Sequence, residues 1–227
     1  MAGLRRKRAV LVGNALNMAV DVRGRPLDLT DLAEFIDDCD LVLRMNNLKN
    51  SLAPGVGTKN DIMCVNNCGR PAMNNARRPI EFGAIEQPKR LIFPISNAER
   101  TCLVARPPEE GEDIFRRTNF ASKIVSFQGW QDLPTSYINP IRSHCLRRRL
   151  ADATGLDILP STGIRIVDHV VSHPGFADFD LYIAGFTFEG WIGHEYLAEQ
   201  KFILTWCAEG RLHIPPTPAQ GYAAAGS

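Results

Sequence analysis

The chain alternates short apolar runs with longer segments in which apolar residues recur every three or four positions. The short runs are rich in aliphatic side chains, and several end in glycine or asparagine, which is typical of buried parallel strands. We place strands at residues 8–13, 40–46, 60–66, 89–96 and 179–186. Strands that alternate with helical segments predict an α/β fold, a Rossmann-like and mostly parallel sheet flanked by helices.

The helical periodicity predicts helices at residues 28–39, 141–155, 163–173 and 194–210. Thr30 or Asp31 is the expected N-cap of the first of them. Pro174 ends the third because proline cannot continue a helix. The segment from about 97 to 140 has no clear period, and we expect a strand and surface loops there.

Length and composition narrow the class of protein. A length of 227 residues fits one catalytic domain, which we place at residues 1–214. The proline- and alanine-rich residues 215–227 are expected to form a disordered tail. The formal net charge of +1 gives no bias toward nucleic acid, and we expect no such partner. No export signal and no apolar run near the ~20 residues of a membrane helix is present. The six cysteines show no framework spacing, so a cytoplasmic protein with reduced thiols is expected.

Polar residues follow the first two predicted strands. Gly13 ends the first strand and Asn14 follows it, and Asn46 ends the second. In open α/β sheets, ligands bind beyond the carboxyl ends of the strands, where such residues lie. An asparagine after a strand can also serve turn geometry alone. The first turn is not a dinucleotide fingerprint, because only the first glycine of G-x-G-x-x-G is present.

A Ser-Thr-Gly turn precedes the helix predicted at 163–173. Ser161 and Thr162 can cap that helix through their hydroxyl groups. Gly163 would let an anion approach the first backbone N–H groups, which carry the positive end of the helix dipole. Capping and anion binding are both open from these residues alone.

The last predicted helix begins at His194, five residues before Glu199. His194 can be a catalytic base or a phosphate donor, or an inert surface histidine. Glu199 is expected to be a structural acceptor inside the helix. Two Asp-x-Asp triplets, at 38–40 and 178–180, precede strands instead of following them, so they lie at the wrong end of the sheet for catalysis. We therefore predict no metal site.

The order of these segments resembles the eukaryote-type sialyltransferase family, glycosyltransferase family 29. The matching stretches are "VLVGNALNM", "IDDCDLVLRMNN", "GVGTKNDIMCVN", "PSTGIRIVDHVV…FDLYIAGF" and "HEYLAE". They lie within residues 9–66, 160–186 and 194–199. The family's Arg-x-Asn corresponds to Arg44 and Asn46 here, and Arg44 is assigned a structural role. The third motif of the family has no clear counterpart, and "FTFEGW" occupies its interval.

The resemblance implies a variant GT-A fold and an inverting transfer that needs no cofactor and no metal. The donor would be a CMP-linked acidic 2-keto sugar, sialic acid or 3-deoxy-manno-octulosonate (Kdo), and the acceptor a glycan or glycolipid hydroxyl. Asn14 and Asn46, with Gly13 beside them, would bind the nucleotide and its phosphate. The Ser-Thr-Gly turn would hold the donor, and His194 would be the catalytic base.

The missing Golgi anchor and cysteine pairing fit a bacterial, cytoplasmic relative that acts in polysaccharide biosynthesis. The basic N-terminus and the arginines at 147–149 indicate an anionic acceptor or peripheral association with the inner membrane. Two other functions stay open. One is a non-catalytic nucleotide-binding module, which would not need His194, and the other is a different Rossmann-type nucleotide-sugar enzyme.

Overall fold

A computed structural model of the chain describes residues 6–15, 18–105, 118–157, 159–188 and 196–216. Side chains at 102–104 are not included. His194 and residues 217–227 of the predicted tail lie outside these ranges.

In the described ranges, six parallel strands form a single sheet, in the order β5-β4-β3-β2-β1-β6. The strands are β1 Lys7–Val12, β2 Leu41–Met45, β3 Ile62–Cys64, β4 Arg90–Phe93, β5 Thr135–Tyr137 and β6 Phe179–Ala184. The predicted α/β class with a parallel sheet is confirmed. The five strands placed from the apolar runs all form; β1 is shifted by one residue, and the other four are shorter than their runs.

The described helices are α1 Leu29–Asp37, α2 Gly69–Asn75, α3 Asn97–Ala105, α4 Ala121–Gln128, α5 Pro140–Thr154, α6 Thr162–Ser172 and α7 Tyr196–Ala208. A 3-10 turn, Pro174–Phe176, follows α6. Side chains of β1 alternate between two cores: Val10 and Val12 pack with α1, α2 and α4, while Ala9 and Leu11 pack with α5, α6 and α7. The sheet is therefore covered on both faces, as a parallel sheet requires. No helix in the described ranges is long and apolar enough to span a bilayer.

Three local predictions need correction. The N-cap of α1 is Asp28, not Thr30 or Asp31, because the Asp28 carboxylate accepts from the backbone N–H groups of both. The segment from 97 to 140 contains α3 and α4 as well as the expected strand, β5. Helix α2 was not predicted. It has only seven residues, too few to show a helical period.

The strand order reverses at β1. From β1 the chain adds β2, β3, β4 and β5 in one direction, and β6 then returns to the other side of β1. A reversal of this kind leaves a crevice at the carboxyl ends of the strands, where ligands bind in open α/β sheets.

Candidate functional site

A cleft of about 390 Å³ lies at that crevice. Residues 13–15, 45–47 and 49, at or after the ends of β1 and β2, form one part of its lining. Residues 161–164 at the start of α6, 185–188 after β6, and 196 and 199 of α7 form another part. The cleft therefore joins segments that are far apart in the chain.

Most of the site residues proposed from the sequence line this cleft. They are Gly13, Asn14, Asn46, Ser161, Thr162, Gly163 and Glu199. Arg44 does not line it, and His194 lies outside the described residues. The position of the proposed catalytic base is thus not described, whereas the proposed donor-binding residues come together.

Ser161 is held by Glu199 of α7. The Glu199 carboxylate accepts from the Ser161 backbone N–H at 2.7 Å and from the Ser161 hydroxyl at 2.5 Å. Glu199 is buried, and this burial raises the pKa of its carboxyl, while the two Ser161 hydrogen bonds and the nearby Arg165 charge act in the opposite direction. An acidic residue buried at this point fixes the position of the turn before α6.

Ser161 is also the N-cap of α6. Its hydroxyl oxygen accepts from the backbone N–H of Ile164 at 3.3 Å while the hydroxyl hydrogen is donated to Glu199. The N–H groups of Thr162 and Gly163 belong to the first turn, where the helix itself offers no carbonyl partner. They lie at the positive end of the α6 dipole and line the cleft, so this turn can bind an anion.

A group of asparagines at the ends of β1 and β2 forms another part of the lining. The Asn14 side-chain NH2 donates to the side-chain oxygen of Asn47 at 3.2 Å. The side-chain oxygen of Asn14 is buried and has no hydrogen-bond partner in the described parts of the chain. Asn46 has a φ of 55°, and its side-chain oxygen accepts from the backbone N–H of Asn66 at 3.1 Å. The Asn14 side-chain oxygen is therefore a buried acceptor without a described partner beside the cleft, and Asn46 is held in a fixed orientation.

Gly13 is required by close packing between chain segments. A Cβ at this position would lie 2.2 Å from the carbonyl oxygen of Gly185 and 2.9 Å from Cδ2 of Phe186. Its backbone N–H donates to the carbonyl of Ala184 at 2.8 Å. A Cβ at Gly163 would meet Cε1 of the same Phe186 ring at 3.2 Å. Phe186 thus packs between the two glycines.

Arg44 lies on β2, a central strand of the sheet, and does not line the cleft. It is 1% exposed, its Nε donates to the carbonyl of Lys59 at 2.7 Å, and burial lowers its pKa to about 10. Its two terminal nitrogens have no hydrogen-bond partner among the described groups. Arg44 therefore acts on the loop that ends at Lys59, in line with a structural role.

Sequence reasoning did not select Lys49, Phe186, Phe188 or Tyr196, all of which line the cleft. Phe188 has a φ of 54°, which is uncommon outside glycine. The sequence does show a lysine three residues after Asn46. Whether the Lys49 side chain reaches the cleft depends on backbone angles that the sequence does not reveal.

The two Asp-x-Asp triplets lie at the amino ends of strands, as predicted. Asp40 accepts from the Arg8 backbone N–H at 2.7 Å, and Asp180 pairs with Arg6 at 3.2 Å. Across the described ranges, no group of three His, Cys, Asp or Glu side chains is placed to hold a metal ion.

The basic run on α5 is largely neutralised within the molecule. Arg147 forms two 2.6 Å hydrogen bonds to the Asp157 carboxylate, and Arg149 pairs with the buried Asp168. Only Arg148 of this run is exposed without an ion pair to a described residue. The run therefore gives little support to an anionic docking surface.

The α/β fold is similar to that of a solved sialyltransferase. A mammalian sialyltransferase in complex with Gal-beta-1-3GalNAc-ortho-nitrophenol superposes with a TM-score of 0.52 at 15% identity, over 92% of this chain and 69% of that one. The sialyltransferase CstII from Campylobacter jejuni, in complex with the substrate analogue CMP-3FNeuAc, gives a TM-score of 0.48 at 11% identity, over 92% and 80%. A TM-score below 0.5 does not by itself establish a shared fold.

The sequence comparisons give a relative of a different kind. No family model matches the chain. A curated relative, the urease operon 23 kDa accessory protein of Rhizobium meliloti (strain 1021), is 29% identical over 187 residues, or 79% of this chain and 84% of the relative. Membership of glycosyltransferase family 29 stays a prediction.

Proposed function

We propose that this protein is a glycosyltransferase that moves an acidic 2-keto sugar, sialic acid or Kdo, from a CMP-sugar to a glycan hydroxyl. The observation that carries the proposal is the cleft at the strand-order reversal. There the asparagines after β1 and β2 line the same cleft as Thr162 and Gly163 of α6, whose N–H groups have no partner within the helix. The fold shared with a mammalian sialyltransferase supports the same class of donor.

The proposed reaction is a direct displacement that inverts the anomeric carbon. The acceptor hydroxyl oxygen forms a bond to that carbon as the bond from the carbon to the phosphate oxygen breaks. The bonding electron pair leaves with CMP, and the hydroxyl proton passes to His194. A positioned base contributes about 10²–10⁴-fold to such a rate.

Negative charge develops on the leaving phosphate and is already present on the sugar carboxylate. The N–H groups of Thr162 and Gly163 are fixed donors for one of these anions. Donors that are in place before reaction stabilise developing charge without reorganising. We therefore propose that the protein itself supplies this stabilisation and that the transfer needs no metal.

A second candidate is a non-catalytic, nucleotide-binding accessory protein. The observation in its favour is the 29% identical relative, whose name assigns it to a urease operon as an accessory protein. Such a protein would use the same cleft for binding but would not turn over a donor.

Calorimetric titration with CMP, UMP and NAD in the presence of EDTA tests the ligand class. CMP release from CMP-sialic acid and from CMP-Kdo, with water or added glycans as acceptor, then tests catalysis. The transferase proposal predicts CMP binding that does not depend on metal, and donor turnover that is lost in His194→Ala while CMP binding is kept.

The outcomes separate the candidates. CMP binding without turnover of either donor would favour the accessory protein. Turnover that His194→Ala leaves unchanged would contradict the assigned base. Failure of wild-type protein to bind CMP, or binding that requires a divalent ion, would contradict the proposed function.

A further inference from the structure

The proposed ligand carries two negative groups, but the described cleft contains a single cationic side chain. Lys49 is the only lysine or arginine among the described residues that line it. It is exposed and has no ion pair or hydrogen bond through its ammonium group to any described residue. Its charge is therefore available to a ligand.

Lys49 belongs to the segment that leaves β2. Met45, Asn46 and Asn47, at the carboxyl end of β2, precede it and line the same cleft. Helix α6 contributes Thr162 and Gly163, whose N–H groups lie in its first turn. The cleft thus has two groups for binding anions, which come from different elements.

The backbone that carries Lys49 adopts an uncommon conformation. Asn46 and Leu48 both have positive φ angles, 55° and 52°. For leucine this region is strained, and such strain persists only where the surroundings enforce it. Strained backbone of this kind clusters at functional sites.

The residues on either side of Lys49 are buried, and they fix the position of its backbone. Leu48 is 2% exposed and packs in the core beneath the sheet, and Asn50 is also 2% exposed. The Asn50 side-chain NH2 donates to the carbonyl of Gly13 at 2.9 Å, which ties this loop to the turn after β1. Because both neighbours point into the protein, the lysine between them has a fixed starting point at the cleft.

We propose that Lys49 binds the phosphate of the CMP group, a role that rests on the proposed function. It belongs to the segment that carries Asn46 and Asn47, and this segment is hydrogen-bonded to Gly13 and Asn14 in the turn assigned to the nucleotide. The N–H groups at the start of α6 are then available for the second anion. Lys49 is thus a binding residue for the leaving group, additional to the amide and backbone groups.

The test compares CMP with cytidine, which lacks only the phosphate. Wild-type protein, Lys49→Ala, Lys49→Arg and Lys201→Ala are each titrated with both ligands at low and at moderate salt. Lys201 is the matched control because it is an exposed lysine on α7 that does not line the cleft. Circular dichroism and the thermal midpoint of each variant report that the fold is intact.

A charge-assisted hydrogen bond to phosphate predicts CMP binding about tenfold weaker in Lys49→Ala. Cytidine binding should change by less than about twofold, and Lys49→Arg should keep most of the CMP affinity, since both side chains are cationic. The salt dependence of CMP binding should also become shallower in Lys49→Ala, because screening acts on the lost charge pair.

Two results would overturn the assignment of Lys49. One is a Lys49→Ala variant that binds CMP as wild type does, and the other is an equal loss for CMP and cytidine, which would indicate a structural role of the loop. Both presuppose that wild-type protein binds CMP. Failure of the wild type to bind CMP would instead overturn the proposed function together with this assignment.

Discussion

The Ser161 hydroxyl and the Glu199 carboxylate connect the start of α6 to α7 at a distance of 2.5 Å. The same hydroxyl oxygen accepts from the N–H of Ile164, so its hydrogen-bonding capacity is largely used inside the protein. Ser161 therefore acts mainly by positioning the turn. The groups of this turn that remain available to a ligand are the N–H groups of Thr162 and Gly163.

Ser161→Ala is predicted to affect both stability and ligand binding. It removes the cap of α6, which typically costs about 1 kcal/mol, and it takes one hydrogen-bond donor from the buried Glu199. We expect a loss of about 1–3 kcal/mol in the free energy of unfolding and weaker CMP binding.

The control for this prediction is Asn139→Ala. Asn139 caps α5 by accepting from the N–H of Ile141 at 2.9 Å and does not line the cleft. The loss of stability should be about 1 kcal/mol, with CMP binding unchanged. Equal CMP affinity in both variants would show that the Ser161 turn does not position the ligand.

Glu199→Gln is predicted to change the pH dependence of stability. Burial raises the pKa of Glu199 above its ordinary 4.5, so the folded protein holds this proton more tightly than the unfolded chain does. Wild-type stability relative to Glu199→Gln should therefore fall as the pH rises from about 4.5 through the higher folded-state pKa. Urea unfolding of both proteins from pH 4 to 8 measures this difference. A difference that is constant with pH would contradict the raised pKa.

His169 is predicted to make the protein sensitive to acid. Burial lowers its pKa to about 4, and the positive charges of His173 and Arg142 act in the same direction, while Asp168 opposes them. Between pH 6.5 and 4 the unfolded chain binds a proton that the folded protein does not, so stability falls as the pH falls.

His169→Phe keeps an aromatic ring beside Phe176 and removes the titrating group. Between pH 7 and 4.5, the free energy of unfolding should fall by about 1–3 kcal/mol less in this variant than in wild type. Urea unfolding measures this difference. His144→Gln, an exposed histidine on α5, is the control and should behave as wild type does. Equal acid sensitivity of His169→Phe and wild type would refute the prediction.

Gly13→Ala is predicted to separate β1 from the turn after β6. The added Cβ would lie 2.2 Å from the Gly185 carbonyl oxygen, a backbone atom that cannot move without shifting the turn. We expect the free energy of unfolding to fall by about 3 kcal/mol or more, which is at the upper end of the range for substitutions that overpack a core.

Gly129→Ala provides the comparison because a Cβ there would meet nothing within 4 Å. The backbone φ of 74° alone should cost about 1 kcal/mol. Thermal unfolding of the two variants measures both losses. Losses of equal size would show that contact with Gly185 is not what requires glycine at position 13.

The sequence was sufficient to predict the parallel sheet. It also indicated which end of the sheet contains the candidate site. Parallel strands that are buried on both faces are apolar along their length, and the residues that follow them must meet at one edge. Gly13 and Asn46 could therefore be grouped without any knowledge of contacts. Ser161 follows no strand, but it begins a helix, and helix starts lie at the same end of a parallel sheet. The Asp-x-Asp triplets were placed at the opposite end by the same reasoning.

Helix α4 and Lys49 illustrate what the sequence could not provide. The segment Ala121–Gln128 has only two buried residues among those described, Ala121 and Ile124, so its apolar face is too narrow to show a period. The direction of Lys49 depends on the positive φ angles of Asn46 and Leu48 and on the hydrogen bond from Asn50 to Gly13. These are tertiary effects, and leucine gives no local signal for a left-handed backbone.

The position of β1 between β2 and β6 has a consequence for protein synthesis. As the chain leaves the ribosome, β1 can pair with β2 early, but its other edge stays open until β6 has been made. An open strand edge is a template for wrong pairing with other chains. Nascent or truncated chains that end before β6 are therefore expected to need chaperone protection. Since the cleft needs both β1 and β6, ligand can bind only once nearly the whole domain has been made and folded.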